Sequence, residues 1–193
     1  MNTPERGVLF ILVGPSGVGK NAIMKSVLPR FGLRQMPTVT TRSPRDGEHE
    51  GQQHFFVSIE QFRKMLDEGR FAEYQENYPG IFYGTPRAQL EELLNSGARL
   101  IADIDVVGAS KLKELHPDRV IQIFIAPPSR DVLEARLRER GQMSEAELAE
   151  RLKRADFEMT FESQADYRIV NDDLDETIEQ AAEIISNELM EEA

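Results

Sequence analysis

Residues 8–20 read VLFILVGPSGVGK. The first six, Val8 to Val13, form an unbroken apolar run of strand length, the pattern of a strand buried on both faces. Gly14, Pro15, Ser16, Gly17, Val18, Gly19 and Lys20 follow at once, and the stretch from Asn21 to Leu28 has helical patterning. Strand, glycine loop and helix, in that order, are the context a phosphate-binding loop requires. Gly14, Gly17 and Gly19 let the backbone bend and bring its N–H groups close to a phosphate. The N-terminus of the following helix adds positive potential, and Lys20 is placed to neutralise charge between β- and γ-phosphates. The plainer alternative is a glycine turn with a surface lysine, which this context disfavours. The expected ligand is a nucleoside triphosphate.

Asn21 departs from the pattern. Such loops normally carry Ser or Thr here, whose hydroxyl holds magnesium. The Asn21 amide oxygen is a candidate ligand for the ion or for a water bound to it.

Beyond residue 35 the patterning is mixed. Residues 36–42 are rich in β-branched side chains and read as extended, 54–57 as a strand, and 59–68 as a helix with Ile59, Phe62, Met65 and Leu66 at helical spacing. Residues 71–75 and 81–83 read as strands around a turn at Asn77–Gly80. Regular alternation follows: helix 87–94, strand 99–103, helix 107–115, strand 119–126, helices 131–140 and 145–161, strand 167–170 and helix 174–189. Alternation at both ends predicts an α/β fold, a three-layer parallel sheet with helices on both faces. The chain is expected to form a single domain. Its core would comprise about 1–35, 87–128 and 165–193, with a small mixed-strand insertion at about 36–86 and a helical lid at about 129–160.

The 193 residues include no cysteine, so disulfide and thiolate chemistry are excluded. No apolar run approaches membrane-spanning length and the N-terminus lacks a signal-peptide core, so the cytoplasm is expected and no membrane partner. A net charge of −11 disfavours nonspecific nucleic-acid binding. The charge is uneven. Residues 1–45 hold Arg6, Lys20, Lys25, Arg30, Arg34, Arg42 and Arg45 against Glu5, whereas 171–193 hold no base. His49, His54 and His116 lack zinc-like spacing, and no nucleophile elbow is present.

Three other constellations bear on chemistry. Thr38, Arg42 and Arg45 put hydroxyls and two guanidinium forks on one short stretch, which suits a phosphate with several oxygens or a basic surface loop equally. Asp103 and Asp105 lie at the C-terminal end of an apolar strand, on one face by alternation. They can share a crevice with the phosphate loop or simply cap the next helix. Arg136 and Arg140 share a helix face and Arg151 lies on the next helix. They can close on a phosphoryl group or pair with neighbouring glutamates.

Taken in order, GPSGVGK, TTRSPRDGE, FYGTPR, ADIDVVG, FIAPPS and IVNDDLD resemble the guanylate kinase family over about residues 8–174. The resemblance implies a P-loop kinase that moves a phosphoryl group from Mg2+-bound ATP to GMP, and to dGMP as well. It places Gly14 to Asn21 and Asn171 at ATP. Thr38, Arg42, Arg45, His54, Glu73, Tyr83, Thr85, Asp103 and Asp105 would be at GMP. Glu73 would accept from guanine N1–H and N2–H2, and Arg42 and Arg45 would hold the GMP phosphate. Lys20, Arg42, Arg136, Arg140 and Arg151 would be catalytic, with Asn21, and Asp103 through water, near the metal. Oligomeric state stays open.

The chain departs from the family pattern at four points. Asn21 replaces the hydroxyl residue, His54 stands where a tyrosine is usual, and Val107 replaces a common glutamine. The hairpin before Phe82 is about one residue longer through Pro79 and Gly80. Two other readings are a non-catalytic guanylate-kinase-like binding module and a P-loop kinase for another acceptor, such as a ribose bisphosphate.

Overall fold

The computed structural model describes residues 6–45, 47–139, 141 and 143–191. Its first strand, β1 (Val8–Val13), is buried at every residue. Period-two alternation sends Val8, Phe10 and Leu12 into one hydrophobic cluster and Leu9, Ile11 and Val13 into another. The sheet is therefore packed on both sides, as its apolar strands require. On the first side lie α1 (Lys20–Phe31), α5 (Arg130–Glu139), α6 (Glu145–Met159) and α7 (Leu174–Glu191). On the second lie α3 (Arg87–Asn95) and α4 (Val106–Leu115).

The main sheet has five parallel strands in the order β2 (Arg34–Gln35), β7 (Arg99–Asp103), β1, β8 (Val120–Ala126) and β9 (Tyr167–Val170). β1 sits between β7 and β8, so the chain order breaks there, and ligands of open parallel sheets bind outside the carboxyl ends of strands at such a break. Register sets Leu12 beside Asp103, so the loop after β1 and the end of β7 open at the same level.

A second, mixed sheet runs β4 (His54–Phe56), β3 (Thr38–Thr40), β6 (Ile81–Pro86) and β5 (Phe71–Tyr78). Its small core is Val39, Phe62 and Phe71, with the Phe62 and Phe71 rings stacked at 4.5 Å. Phe62 comes from α2 (Ile59–Asp67), which begins at a capping box between Ser58 and Gln61.

The structure corrects several sequence boundaries. The first helix does not stop before Pro29 but runs through it to Phe31, ending at Gly32 in the left-handed region. Pro29 lies so near the end that its missing N–H deprives only the carbonyl of exposed Lys25, which water can satisfy. The extended stretch 36–42 resolves into β3 alone, preceded by β2 on the other sheet. β5 and β6 reach Tyr78 and Ile81, so the turn between them is only Pro79 and Gly80. Among the described residues no helix is long and apolar enough to cross a membrane.

Candidate active site

The loop after β1 folds back over its own lysine. Lys20 Nζ donates to the carbonyls of Gly14 and Pro15 and stands 3.6 Å from Asp103 Oδ1. Asn171 braces the loop from behind. It is only 4% exposed, its Nδ2 donates to Val18 O at 2.6 Å, and its Oδ1 accepts from Thr177 Oγ1 at 3.1 Å. That strut leaves no room at Gly19, where φ is +100° and a Cβ would stand 2.5 Å from Asn171 Nδ2. Asn171→Ala leaves the Val18 carbonyl without its partner. We expect about 1–3 kcal/mol less stability in urea unfolding, with a raised KM for the triphosphate.

Across the crevice the second sheet presents a charged cluster. Arg42 forks onto Glu48 with two bonds of 2.6 Å, and its Nε donates to Tyr83 Oη at 2.9 Å. Glu48 also accepts from Arg45 N at 2.8 Å. Hydrogen bonding to Arg42 holds the Glu48 carboxyl down to about 2. Strand pairing sets Thr38 beside His54, and Thr38 Oγ1 lies 2.8 Å from His54 Nδ1. Burial, then the charges of Arg42 and Arg45, bring the imidazole down to about 4, so it is neutral near pH 7.

Deeper in, Glu73 is 4% exposed. Register on β5 and β6 pairs it with Thr85, whose hydroxyl donates to Oε1 at 2.6 Å. From the other side α4 closes on it so tightly that a Cβ on Gly108 would lie 2.4 Å from Oε2. Burial pushes the Glu73 carboxyl up to about 7; Asp105 adds to the rise, and Thr85 and Lys111 oppose it.

One cavity of about 600 Å3 joins these parts. Its wall includes Gly14, Pro15, Ser16, Gly17, Gly19, Lys20 and Asn21 from the loop and α1, and Thr38, Arg42, Arg45, His54, Glu73 and Tyr83 from the second sheet. Asp103, Asp105 and Arg151 also line it. The guanylate kinase family model matches residues 6–188. Guanylate kinase from Synechocystis is 41% identical over 187 residues, covering 96% of this chain and 97% of the relative. That from Trichodesmium erythraeum is 42% identical over 182 residues, covering 94% and 97%. The crystal structure of guanylate kinase from Anaplasma phagocytophilum superposes with a TM-score of 0.76 at 35% identity, covering 96% and 88%.

The chain belongs to the guanylate kinase family.

Not every residue that the guanylate kinase resemblance singled out faces the cavity. Val18 is fully buried in the main core and meets the site only through its backbone. Asn171 and Thr85 stand behind the wall, holding Val18 and Glu73. Arg136 is turned away; its guanidinium donates to Asn171 O at 2.9 Å and Asp172 O at 3.2 Å. Arg140 lies outside the described residues. Asp103 and Asp105 do not act as a strand-face pair. The chain leaves the sheet after Asp103, and Asp105 caps α4 through bonds to Val107 N and Gly108 N, while Asp103 turns to Lys20.

Sequence reasoning missed Glu48, Asn77, Arg154 and Glu158, all on the wall. Glu158 left a readable signal. It continues the buried stripe of Leu148, Leu152 and Ala155 along α6, where an acid has no place in an ordinary core. Burial raises its carboxyl, opposed by Lys20 and Arg154.

Glu73 carries a pH consequence with a definite sign. Its folded value, about 7, lies above the ordinary 4.5, so the folded chain binds the proton more tightly than the unfolded one. The stability it lends is full below about pH 4.5 and is lost as pH rises through about 7, on the order of 3 kcal/mol in all. Glu73→Gln should therefore melt higher than the natural chain by several degrees at pH 8, with the gap narrowing steadily toward pH 5. A gap independent of pH would show that Glu73 is charged throughout.

Proposed function

We propose that this chain transfers the γ-phosphoryl group of ATP to GMP, and likewise to dGMP, by direct in-line displacement. A phosphate oxygen of GMP bonds to the γ-phosphorus as the bond to the β–γ bridging oxygen breaks, and ADP leaves with that oxygen. The observation that carries this reading is the single cavity with a phosphate loop on one wall and a buried carboxylate beside an arginine cluster on the other. Lys20 and the loop N–H groups hold the triphosphate. Arg42, Arg45 and Tyr83 hold the acceptor phosphate, with neutral His54 donating beside them. Ionised Glu73 accepts from guanine N1–H and N2–H2, two donors that adenine does not present together. α5 and α6 act as a lid, with Arg151 spreading charge from the transition state.

Asn21 and Asp103 offer oxygen atoms on the wall beside Lys20, the donor chemistry a hard divalent cation takes. Among the described residues no group of three or more His, Cys, Asp or Glu gathers to cage a metal. Bound there with ATP, Mg2+ would be held on the protein side by Asn21 and by Asp103 through water, and would supply charge neutralisation to the triphosphate.

The test is ADP formation from ATP and Mg2+ with GMP, dGMP, AMP, UMP and CMP offered separately. Turnover with GMP and dGMP far above the rest is expected. Folded protein that binds GMP yet turns over no acceptor would replace the kinase reading with that of a binding module.

A further inference from the structure

The end of β5, at Asn77 and Tyr78 beside the hairpin turn, lines the cavity and meets α6. Arg154 meets it there with all three guanidinium nitrogens engaged. Nη1 donates to Asn77 O at 2.7 Å, Nη2 to Asn77 Oδ1 at 2.8 Å, and Nε to Glu158 Oε1 at 2.9 Å. The guanidinium carbon also lies 5.7 Å from the centre of the Tyr78 ring, within cation–π range. Glu158 is 7% exposed and cannot swing away, so it fixes the fork from behind.

α6 packs on the main core through Leu148, Leu152 and Ala155, whereas Asn77 belongs to the second sheet. The bridge therefore ties together the two bodies that form opposite walls of the cavity. It also lies one helical turn from Arg151, which faces the same cavity.

We infer that Arg154 and Asn77 form a latch that holds α6 against the acceptor sheet before nucleotides bind, and so positions Arg151 over the reacting phosphates. The latch rests on the phosphoryl-transfer reading above for its purpose, but not for its existence. Arg154 is engaged by Asn77 and Glu158 rather than by a reacting atom, and is a positioning residue. Its removal leaves the bound nucleotides, with their own charge, to draw the walls together. The effect falls on the fraction of free enzyme already closed, and thus on apparent affinity.

The chain has no cysteine, so two nitroxides can be attached at Glu150→Cys on α6 and Pro79→Cys at the hairpin tip. Both positions are exposed. Double electron–electron resonance on nucleotide-free protein should give one short distance. Arg154→Ala should broaden and lengthen it, and ATP analogue with GMP should restore it. In unlabelled protein Arg154→Ala should raise KM for GMP about tenfold with kcat within about threefold of the natural chain. Arg154→Lys keeps the charge beside Glu158 but lacks the fork, and should fall between the two. Should Arg154→Ala not fold, Asn77→Ala reads the same distance and the same KM with one of the two bonds removed.

An unchanged distance distribution in nucleotide-free Arg154→Ala overturns the latch. So does a fall in kcat at unchanged KM, which would put Arg154 on the transferring phosphoryl group itself. Loss of the short distance in Arg154→Ala, in a chain that turns over no nucleotide, upholds the latch while removing the kinase reading.

Discussion

Lys20→Ala is expected to lower kcat for GMP phosphorylation about 1,000-fold with the fold intact. Lys20 is the one cation that the loop presses into the cavity from beneath, held by the carbonyls of Gly14 and Pro15 and by Asp103. Charge migrates toward the leaving β-phosphate during transfer, and a cation fixed at that position favours that state over the ground state. Its loss therefore falls on kcat more than on KM. The fold should persist because the loop keeps its other ties. Asn171 still holds Val18 O, and Val18 still packs in the core. Steady-state kinetics beside a thermal melt will check it; normal turnover in folded Lys20→Ala would sink the mechanism.

Glu73→Gln should lower kcat/KM for GMP by about 1,000- to 10,000-fold while changing that for AMP far less. Ionised Glu73 is acceptor-only, and guanine presents two donors to it. An amide would set its own N–H groups against one of those donors and leave both unpaired in a closed site, the situation in which polar discrimination is steepest. Burial between Thr85 and the Gly108 backbone gives the side chain no alternative position. On the proposed pairing of guanine with ionised Glu73, KM for GMP in the natural chain should also rise as pH falls below about 7, and this component of the slope should vanish in Glu73→Gln. Neutral His54 stays out of that range, since its own value is about 4. Unchanged preference for GMP over AMP in the variant would remove Glu73 from base recognition. The same substitution is expected to stabilise the free protein above pH 7, so the site keeps a carboxylate that folding alone disfavours.

Much of this was readable along the chain because it is local. The strand–loop–helix around Lys20, the alternation that gives a parallel sheet, and the placing of Arg42 and Arg45 on one short stretch all lie within a few turns of backbone, where spacing determines direction. The helix ends were less legible, since Pro29 could enter the last turn of α1 only because Lys25 beneath it is exposed. The aspartates at the end of β7 show the same limit. Period-two alternation holds only while the chain stays in the sheet, and the chain leaves it between Asp103 and Asp105.

The sequence by itself determined the phosphate loop, the two-layered helical cover and, through its ordered motifs, the family. Only the tertiary structure decided what stands behind and across from those motifs. Asn171 braces a loop 153 residues away, and Arg154 finds Asn77 at a separation of 77. Glu73 is pH-sensitive because it is buried, with Gly108 of α4 close against its carboxylate. The reason is physical. Spacing along a chain fixes which side chains share a face, whereas burial, partner and charge state depend on which faces are brought together, and that is settled by packing.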